Sequence, residues 1–396
     1  MSETKLSPAP RLGALATPRS RLFQPLALRG VRLRNRIVIS PMCQYSAHDG
    51  MAGDWHFAHL AQFAVGGAGL VFTEAAAVLA EGRITHGDLG LWQDLQIAPL
   101  ARIAAFLKRQ GATPAIQIAH AGRKASMQRP WFGNGPLDAA DQARGERAWP
   151  IVAPTAEPVG PGWLLPEELD LAGIATIQEA FVATAERARR AGFEALELHG
   201  AHGYLTHSFL SPLANRRRDS YGGDLAGRMR FALELAERVR PRWPAELPLF
   251  FRISAVDGAA EGWSIEDSVA LARALKARGV DVIDCSSGGI GGSATAAAVP
   301  RGPGFQVPFA AEIRRGAGIA TQAVGLILDP AQAEAVLEAG EADLIAIGRE
   351  ALFNPHWPLQ AALALEGEEA WALWPEQYGW WLERRAHGLA RASGAK

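Results

Sequence analysis

Short apolar runs recur along the chain, each followed by a longer stretch with helical spacing. The first four are Ile37-Val38-Ile39-Ser40, Leu70-Val71-Phe72-Thr73, Ala115-Ile116-Gln117-Ile118 and Ala195-Leu196-Glu197-Leu198. Leu249-Phe250-Phe251-Arg252-Ile253, Val280-Asp281-Val282-Ile283, Ile319-Ala320-Thr321-Gln322-Ala323 and Asp343-Leu344-Ile345-Ala346-Ile347 complete a set of eight. Between them lie amphipathic segments, clearest over Ile174 to Ala191, Arg228 to Arg240 and Ile265 to Arg278, with Ser264 as an N-cap. Asp329-Pro330 opens another helix and Gly340 closes it. Strands alternating with helices predict a parallel sheet, and eight is the number that closes a (β/α)8 barrel. No G-x-G-x-x-G follows the first run, as an open dinucleotide-binding sheet would show.

The fold class expected is therefore α/β, a single TIM barrel over residues 21–366. Residues 1–20 hold no long apolar core and read as a flexible N-terminal tail rather than a secretory signal. Residues 121–169, rich in Pro, Gly and Trp, interrupt the repeat after the third strand and are expected to cover the C-terminal face. Residues 367–396 form an extension with Trp371, Trp374, Trp380 and Trp381, an aromatic cluster that wants a surface on this chain or on a neighbour.

Charge narrows the function classes. Forty basic residues against 41 acidic ones argue against a nucleic-acid partner. The two cysteines, Cys43 and Cys285, are too few for a disulfide scaffold or a four-Cys iron–sulfur site, and suit a reduced cytoplasm. No apolar run is long enough for a membrane span.

Barrel enzymes work at the C-terminal ends of their strands, and unusual polar residues gather there. Ser40, Pro41, Met42, Cys43, Gln44 and Tyr45 follow the first strand, and Gln117 and His120 mark the third. The fourth runs into His199, His202 and Tyr204, the fifth carries Arg252, and Gly288, Gly289, Gly325, Gly348 and Arg349 follow the last three. Those glycines let backbone amides approach a phosphate, with Arg349 as a clamp, or simply make tight turns. His199 and His202 suit a metal site lacking an obvious third ligand, or a pair of hydrogen-bond donors facing an anionic oxygen with Tyr204 as proton source. A buried Arg252 must be paired, by a carboxylate such as Glu197 or by a cofactor. Gln117 must likewise find partners, and a heterocycle edge would supply them. Cys43 taken alone reads as a small buried hydrophobe.

Six stretches together resemble the old yellow enzyme family of FMN-dependent ene-reductases. They are LRNRIVISPMCQYSA, TEAAAV, IQIAHAGRKA, ELHGAHGYLTHSFLSPLANRRRDSYGG, FRIS and AIGRE. The similarity is greatest to the bacterial branch that includes the xenobiotic reductases. It implies FMN at the mouth of the barrel and NAD(P)H as co-substrate, with NADPH favoured and Arg123 and Lys124 as candidates for its extra phosphate. Ser40, Pro41, Met42, Cys43 and Ala75 would line the flavin, with Cys43 tuning its potential. Gln117 would bond the pyrimidine edge, and Arg252 the N1/O2 region. Gly325, Gly348 and Arg349 would hold the phosphate. His199 and His202 would bind the oxygen of an α,β-unsaturated carbonyl or nitro compound, Tyr45 would approach it, and Tyr204 would protonate it. The region of Tyr378, Trp380 and Trp381 would reach a site across a dimer contact, in a homodimer or homotetramer. A metal-dependent hydrolase built on His199 and His202, and a non-catalytic flavin carrier, are the competing readings.

Overall fold

A computed structural model of the protein describes Gly13, Leu15 and residues 17–292 and 299–392. Eight parallel strands close a barrel. They are β1 (Ile37–Ile39), β2 (Leu70–Ala77), β3 (Thr113–Ala119), β4 (Ala195–Gly200), β5 (Leu249–Ser254), β6 (Val282–Ser286), β7 (Ala320–Val324) and β8 (Leu344–Ile347), and β8 pairs back onto β1. All eight coincide with the runs read from the sequence, within a few residues at each end.

The helices form for local reasons. In α2 (Ile97–Arg109; α1 is Asp54–Val65), Leu100, Ile103, Ala104 and Leu107 fall on one face and are buried against the strands. The helix α3 spans Leu171–Arg190, α4 Leu225–Val239 and α5 Ile265–Ala277. Ser264 caps α5 by accepting the Asp267 N–H at 3.2 Å. Pro330 opens the helix Pro330–Glu338, whose N-cap Asp329 accepts the Gln332 N–H at 2.9 Å.

Side chains alternate across each strand, so a barrel has an inner and an outer core. Ile37, Ile39, Leu249, Phe251 and Ile253 face outward into the layer shared with the helices. Val38, Leu70, Phe72, Ala115, Ala195, Phe250, Val282 and Leu344 fill the interior. An antiparallel hairpin, Leu26–Leu28 with Val31–Leu33, plugs the N-terminal end by adding Leu28, Val31 and Leu33 to that inner cluster. The floor is thus sealed with apolar side chains.

The insertion folds over that mouth as short turns, a helix over Ala139–Ala143 and a pair of two-residue strands, Val152–Ala153 with Glu167–Glu168. Trp149 docks it by donating Nε1–H to the Glu81 carbonyl at 2.9 Å and lying under the Arg83 guanidinium. Residues 1–12, 14 and 16 of the expected tail lie outside the described residues. Its end is not free: the backbone amides of Arg19 and Ser20 donate to Glu366, and those of Arg21 and Leu22 to Glu334. Two carboxylates therefore anchor the chain two residues earlier than expected.

Candidate active site

Reading β3 to β7 two residues at a time builds the site in layers. Above the apolar floor, the next inward positions are Gln117, Glu197, Arg252, Asp284 and Gln322, all buried. Register brings them together, pairing Gln117 with Glu197, Arg252 with Asp284 and Asp284 with Gln322 across neighbouring strands. Gln117 Nε2 donates to Glu197 Oε1 at 2.7 Å, and the Arg252 guanidinium lies 3.4 Å from the Asp284 carboxylate. The partner of Arg252 is therefore Asp284, not Glu197. Burial, and next the neighbouring Asp284 charge, push the Glu197 carboxyl well up, so it keeps its proton. Burial raises the Asp284 carboxyl too, and the Arg252 charge opposes that shift.

The layer above holds the chemistry. His199 ends the inward row of β4, and the chain turns sharply at Ala201 to Gly203. His199 Nδ1 accepts the Ala201 N–H at 3.3 Å, which leaves the ring proton on Nε2. His202 adopts a left-handed backbone, φ 62°, and its Nε2 lies 2.7 Å from Ser286 Oγ. Ser254 Oγ accepts the His202 N–H, and the buried Lys124 ammonium donates to the His202 and Gly289 carbonyls. Tyr204 caps the short helix Leu205–Leu210. Its ring centroid is 5.1 Å from that of His199, and the two imidazole centroids are 5.2 Å apart. Burial, then the Arg252 charge, holds both imidazoles well below their ordinary pKa and so neutral. Burial pushes the Tyr204 phenol well up, so it keeps its proton. The three rings form a cluster of neutral groups carrying transferable or donatable hydrogens.

The loop after β1 makes the facing wall. Tyr45 takes a left-handed backbone, φ 50°, and its ring meets Trp131 of the insertion edge-on at 5.9 Å. Such residues cost about 1 kcal/mol or more and persist where surroundings hold them. The holding group is Glu74, which accepts the Gln44 N–H at 2.9 Å and faces His56 Nε2 at 3.1 Å. Burial, then the charges of Asp88 and Glu74, push the Cys43 thiol well up, against the Ala75 amide and the Tyr45 hydroxyl that bond to it. Burial likewise raises Asp88, to about 7.

A cavity of about 410 Å³ opens beside His202, and Cys43, Tyr45, Ala75, Gln117, His199 and Tyr204 are not among its lining residues. Its volume is within the range of small-molecule and cofactor sites. Ser40, Pro41, Met42, His202, Arg252, Gly325, Gly348 and Arg349 of the expected set line it, joined by Ser286, Ser287, Arg301 and Gln306. Gly325 needs to be glycine, because its φ is 122° and a Cβ would meet Phe305 at 2.9 Å. Arg123 and Lys124 do not reach outward for a phosphate. Both are buried, and they donate to the carbonyls of Ile290, His202 and Gly289. Trp380 and Trp381 are 51% and 67% exposed on the helix Glu376–Ala392, and neither lines this cavity. Trp374 instead stacks on His356 at 5.8 Å, tying the extension to its own barrel. Among the described residues, no group of three or more His, Cys, Asp or Glu side chains is placed to hold a metal ion, so no third ligand joins His199 and His202.

Sequence comparison decides the family. The family model described as "NADH:flavin oxidoreductase / NADH oxidase family" matches residues 21–368. The chain belongs to this family. An NADPH dehydrogenase of a Geobacillus species is 46% identical over 346 residues, 87% of this chain and 94% of that one. An NADPH dehydrogenase of Listeria innocua serovar 6a is 45% identical over 361 residues, 91% of this chain and 98% of that one. The solved structure of morphinone reductase superposes with a TM-score of 0.72 at 25% identity, covering 88% of this chain and 91% of that one. The old yellow enzyme resemblance of the sequence is thereby shown, with FMN as cofactor of an oxidoreductase that takes electrons from a reduced nicotinamide.

The residues present fit FMN. Arg252 Nε and Ser40 Oγ are buried at the cavity and have no protein partner, which is what a ring rich in acceptors would satisfy. Gln117 gives one of its two amide hydrogens to Glu197, leaving the other hydrogen and Oε1 for the edge of a ring.

Proposed function

We propose that this FMN oxidoreductase is an ene-reductase that takes electrons from NADPH and reduces the activated C=C bond of α,β-unsaturated carbonyl or nitro compounds. The observation that carries the reading is the cluster of His199, His202 and Tyr204 beside the cavity, all neutral, with His199 and Tyr204 buried and His202 half-buried. The names of the 45–46% identical relatives support NADPH as donor.

Bound FMN supplies the hydride. The chain does the rest. Arg252 and Gln117 hold the ring edge, Ser40, Pro41, Met42 and Ala75 line it, and Gly325, Gly348 and Arg349 hold the phosphate end. Cys43 sits beside Ala75 and tunes the ring's surroundings through a neutral thiol. His199 presents Nε2–H to the substrate oxygen, and His202 adds a second donor, so negative charge developing on that oxygen is stabilised and the β carbon becomes electrophilic. Tyr45 packs against the substrate from the opposite wall. Tyr204 gives its phenolic proton to the α carbon as hydride reaches the β carbon. The protein's own part is to position and polarise the substrate.

We further propose that the barrel domain ends near residue 366 and that the extension beyond it packs on a second copy, in a homodimer or homotetramer, through Trp380 and Trp381. A cytoplasmic setting suits the two free thiols. No helix among the described residues is long and apolar enough to cross a membrane. Steady-state NADPH consumption with 2-cyclohexenone tests the catalytic reading: turnover above the oxygen-dependent background supports it, and none under anaerobic conditions overturns it.

A further inference from the structure

The turn that carries both His202 and Tyr204 has one backbone amide between them, that of Gly203. Its N–H is buried and donates to His207 Nδ1 at 2.8 Å. An imidazole that accepts at Nδ1 carries its proton on Nε2, and His207 Nε2 lies 2.9 Å from Asp257 Oδ1. Asp257 Oδ2 in turn accepts from Ser211 Oγ at 2.6 Å and from the Trp263 amide at 2.7 Å. Both His207 and Asp257 are completely buried. The pair thus links the loop after β4 to the loop after β5.

We propose that His207, held by Asp257, is a positioning residue: it fixes the Gly203 amide and so aims Tyr204 and His202 at the substrate. The inference rests on the proton-donor reading of Tyr204 given above. Bulk alone does not explain this construction. His202 and Gly203 are consecutive left-handed residues, φ 62° and 78°, so the turn is a strained one that must be held. It leaves no slack either, because a Cβ on Gly203 would meet the Gly289 carbonyl oxygen at 2.2 Å. The Gly203 carbonyl is tied as well, accepting from Ser208 Oγ at 3.1 Å. An apolar side chain at 207 would fill the volume but leave the Gly203 N–H and the Oδ1 oxygen of Asp257 without a partner. A glutamine could replace both functions, accepting at Oε1 and donating at Nε2.

The test is a double-mutant cycle on FMN-loaded enzyme, read as the rate at which 2-cyclohexenone reoxidises the reduced protein. His207→Phe is expected to slow this step about tenfold with Tyr204 present and by less than about threefold in the Tyr204→Phe background. His207→Gln is expected to recover most of the loss. Hydrogen exchange of the segment 199–210 supplies a readout independent of activity: it should rise in His207→Phe, return in His207→Gln and stay unchanged in the other strands. If His207→Phe fails to fold, His207→Asn, too short to span both partners, carries the same comparison. Equal losses in both backgrounds, or exchange rising across the whole barrel, overturn the inference while leaving the role of Tyr204 intact. A Tyr204→Phe enzyme with unimpaired reoxidation overturns both.

Discussion

Glu74 faces His56 across 3.1 Å at the foot of the loop that carries Cys43 and Tyr45, and its second oxygen accepts the Gln44 N–H at 2.9 Å. His56 Nδ1 accepts the Gly53 N–H at 3.0 Å. One buried carboxylate thus fixes the amide between two candidate site residues. Removing it leaves a buried imidazole and a buried amide unsatisfied, at about 1–3 kcal/mol each. Glu74→Leu is expected to lower the melting temperature by several degrees and to raise the reactivity of Cys43 as its loop loosens. Differential scanning calorimetry and thiol labelling check this. An unchanged melting temperature would show that the pair does not hold the loop.

Cys43 is held as a thiol by burial and by the charges of Asp88 and Glu74. At pH 7.5 it should react with iodoacetamide at least about tenfold more slowly than free cysteine, because only the thiolate attacks. Mass spectrometry of the labelled peptide reads the rate. Labelling as fast as free cysteine would mean that the thiol is ionised and exposed.

His199 has a single ring proton, and the Ala201 amide directs it outward on Nε2. His199→Ala removes that donor and is expected to slow enone reduction about a hundredfold. Tyr204→Phe should slow the same half-reaction while leaving flavin reduction by NADPH within about twofold, since general-acid losses fall on the protonated step. Stopped-flow absorbance separates the two. Equal losses in both half-reactions would remove Tyr204 from the role of proton donor.

Acid should destabilise the fold in a defined window. Burial lowers His59 and His120 to about 4 and holds His199 and His202 far below their ordinary value. Below about pH 6.5 the unfolded chain binds protons that the folded chain refuses, so stability falls as pH drops from there toward 4. Asp88 works in the opposite sense: raised to about 7, it binds a proton in the folded chain first and costs stability as pH rises through that range. Glu197 and Asp284, whose carboxyls burial also raises, act with Asp88. The five lowered histidines, His356 included, outnumber these three carboxyls, and melting temperature should decline from pH 6.5 to 4.5. His120→Gln should flatten the decline. A melting temperature constant over that interval would contradict the burial of these rings.

The barrel was legible in the sequence because its signal is local. Each strand is an apolar run, and each helix shows its face in three- and four-residue spacing, as in Leu100, Ile103, Ala104 and Leu107. His199, His202 and Tyr204 were legible because they cluster at one strand end. The polar layer was only half visible. Gln117 and Arg252 stand out in apolar strands, whereas Glu197, Asp284 and Gln322 become a unit only when register sets them side by side. Reading alternate residues of β4 to β7 (Ala195-x-Glu197-x-His199, Phe250-x-Arg252-x-Ser254, Val282-x-Asp284-x-Ser286, Ala320-x-Gln322-x-Val324) would have exposed it. The carboxylate supports were not legible at all. Glu74 meets Gln44 and His56, and Asp257 meets His207 and Ser211, only once the fold has brought distant segments together, which no residue pattern reports. Arg123 and Lys124 misled because charge on a loop suggests a solvent-facing clamp, yet both turn inward to carbonyls.

The account stands or falls on where hydride and proton arrive. Anaerobic reduction of a substituted 2-cyclohexenone by FMN-loaded enzyme, with deuterated NADPH in one run and deuterated water in another, locates both by NMR of the product. The account predicts deuterium from NADPH on the β carbon, deuterium from solvent on the α carbon, and loss of the solvent label's facial selectivity in Tyr204→Phe. Failure of the reduced enzyme to convert the enone, or a solvent label whose placement is unaffected by Tyr204→Phe, would contradict it.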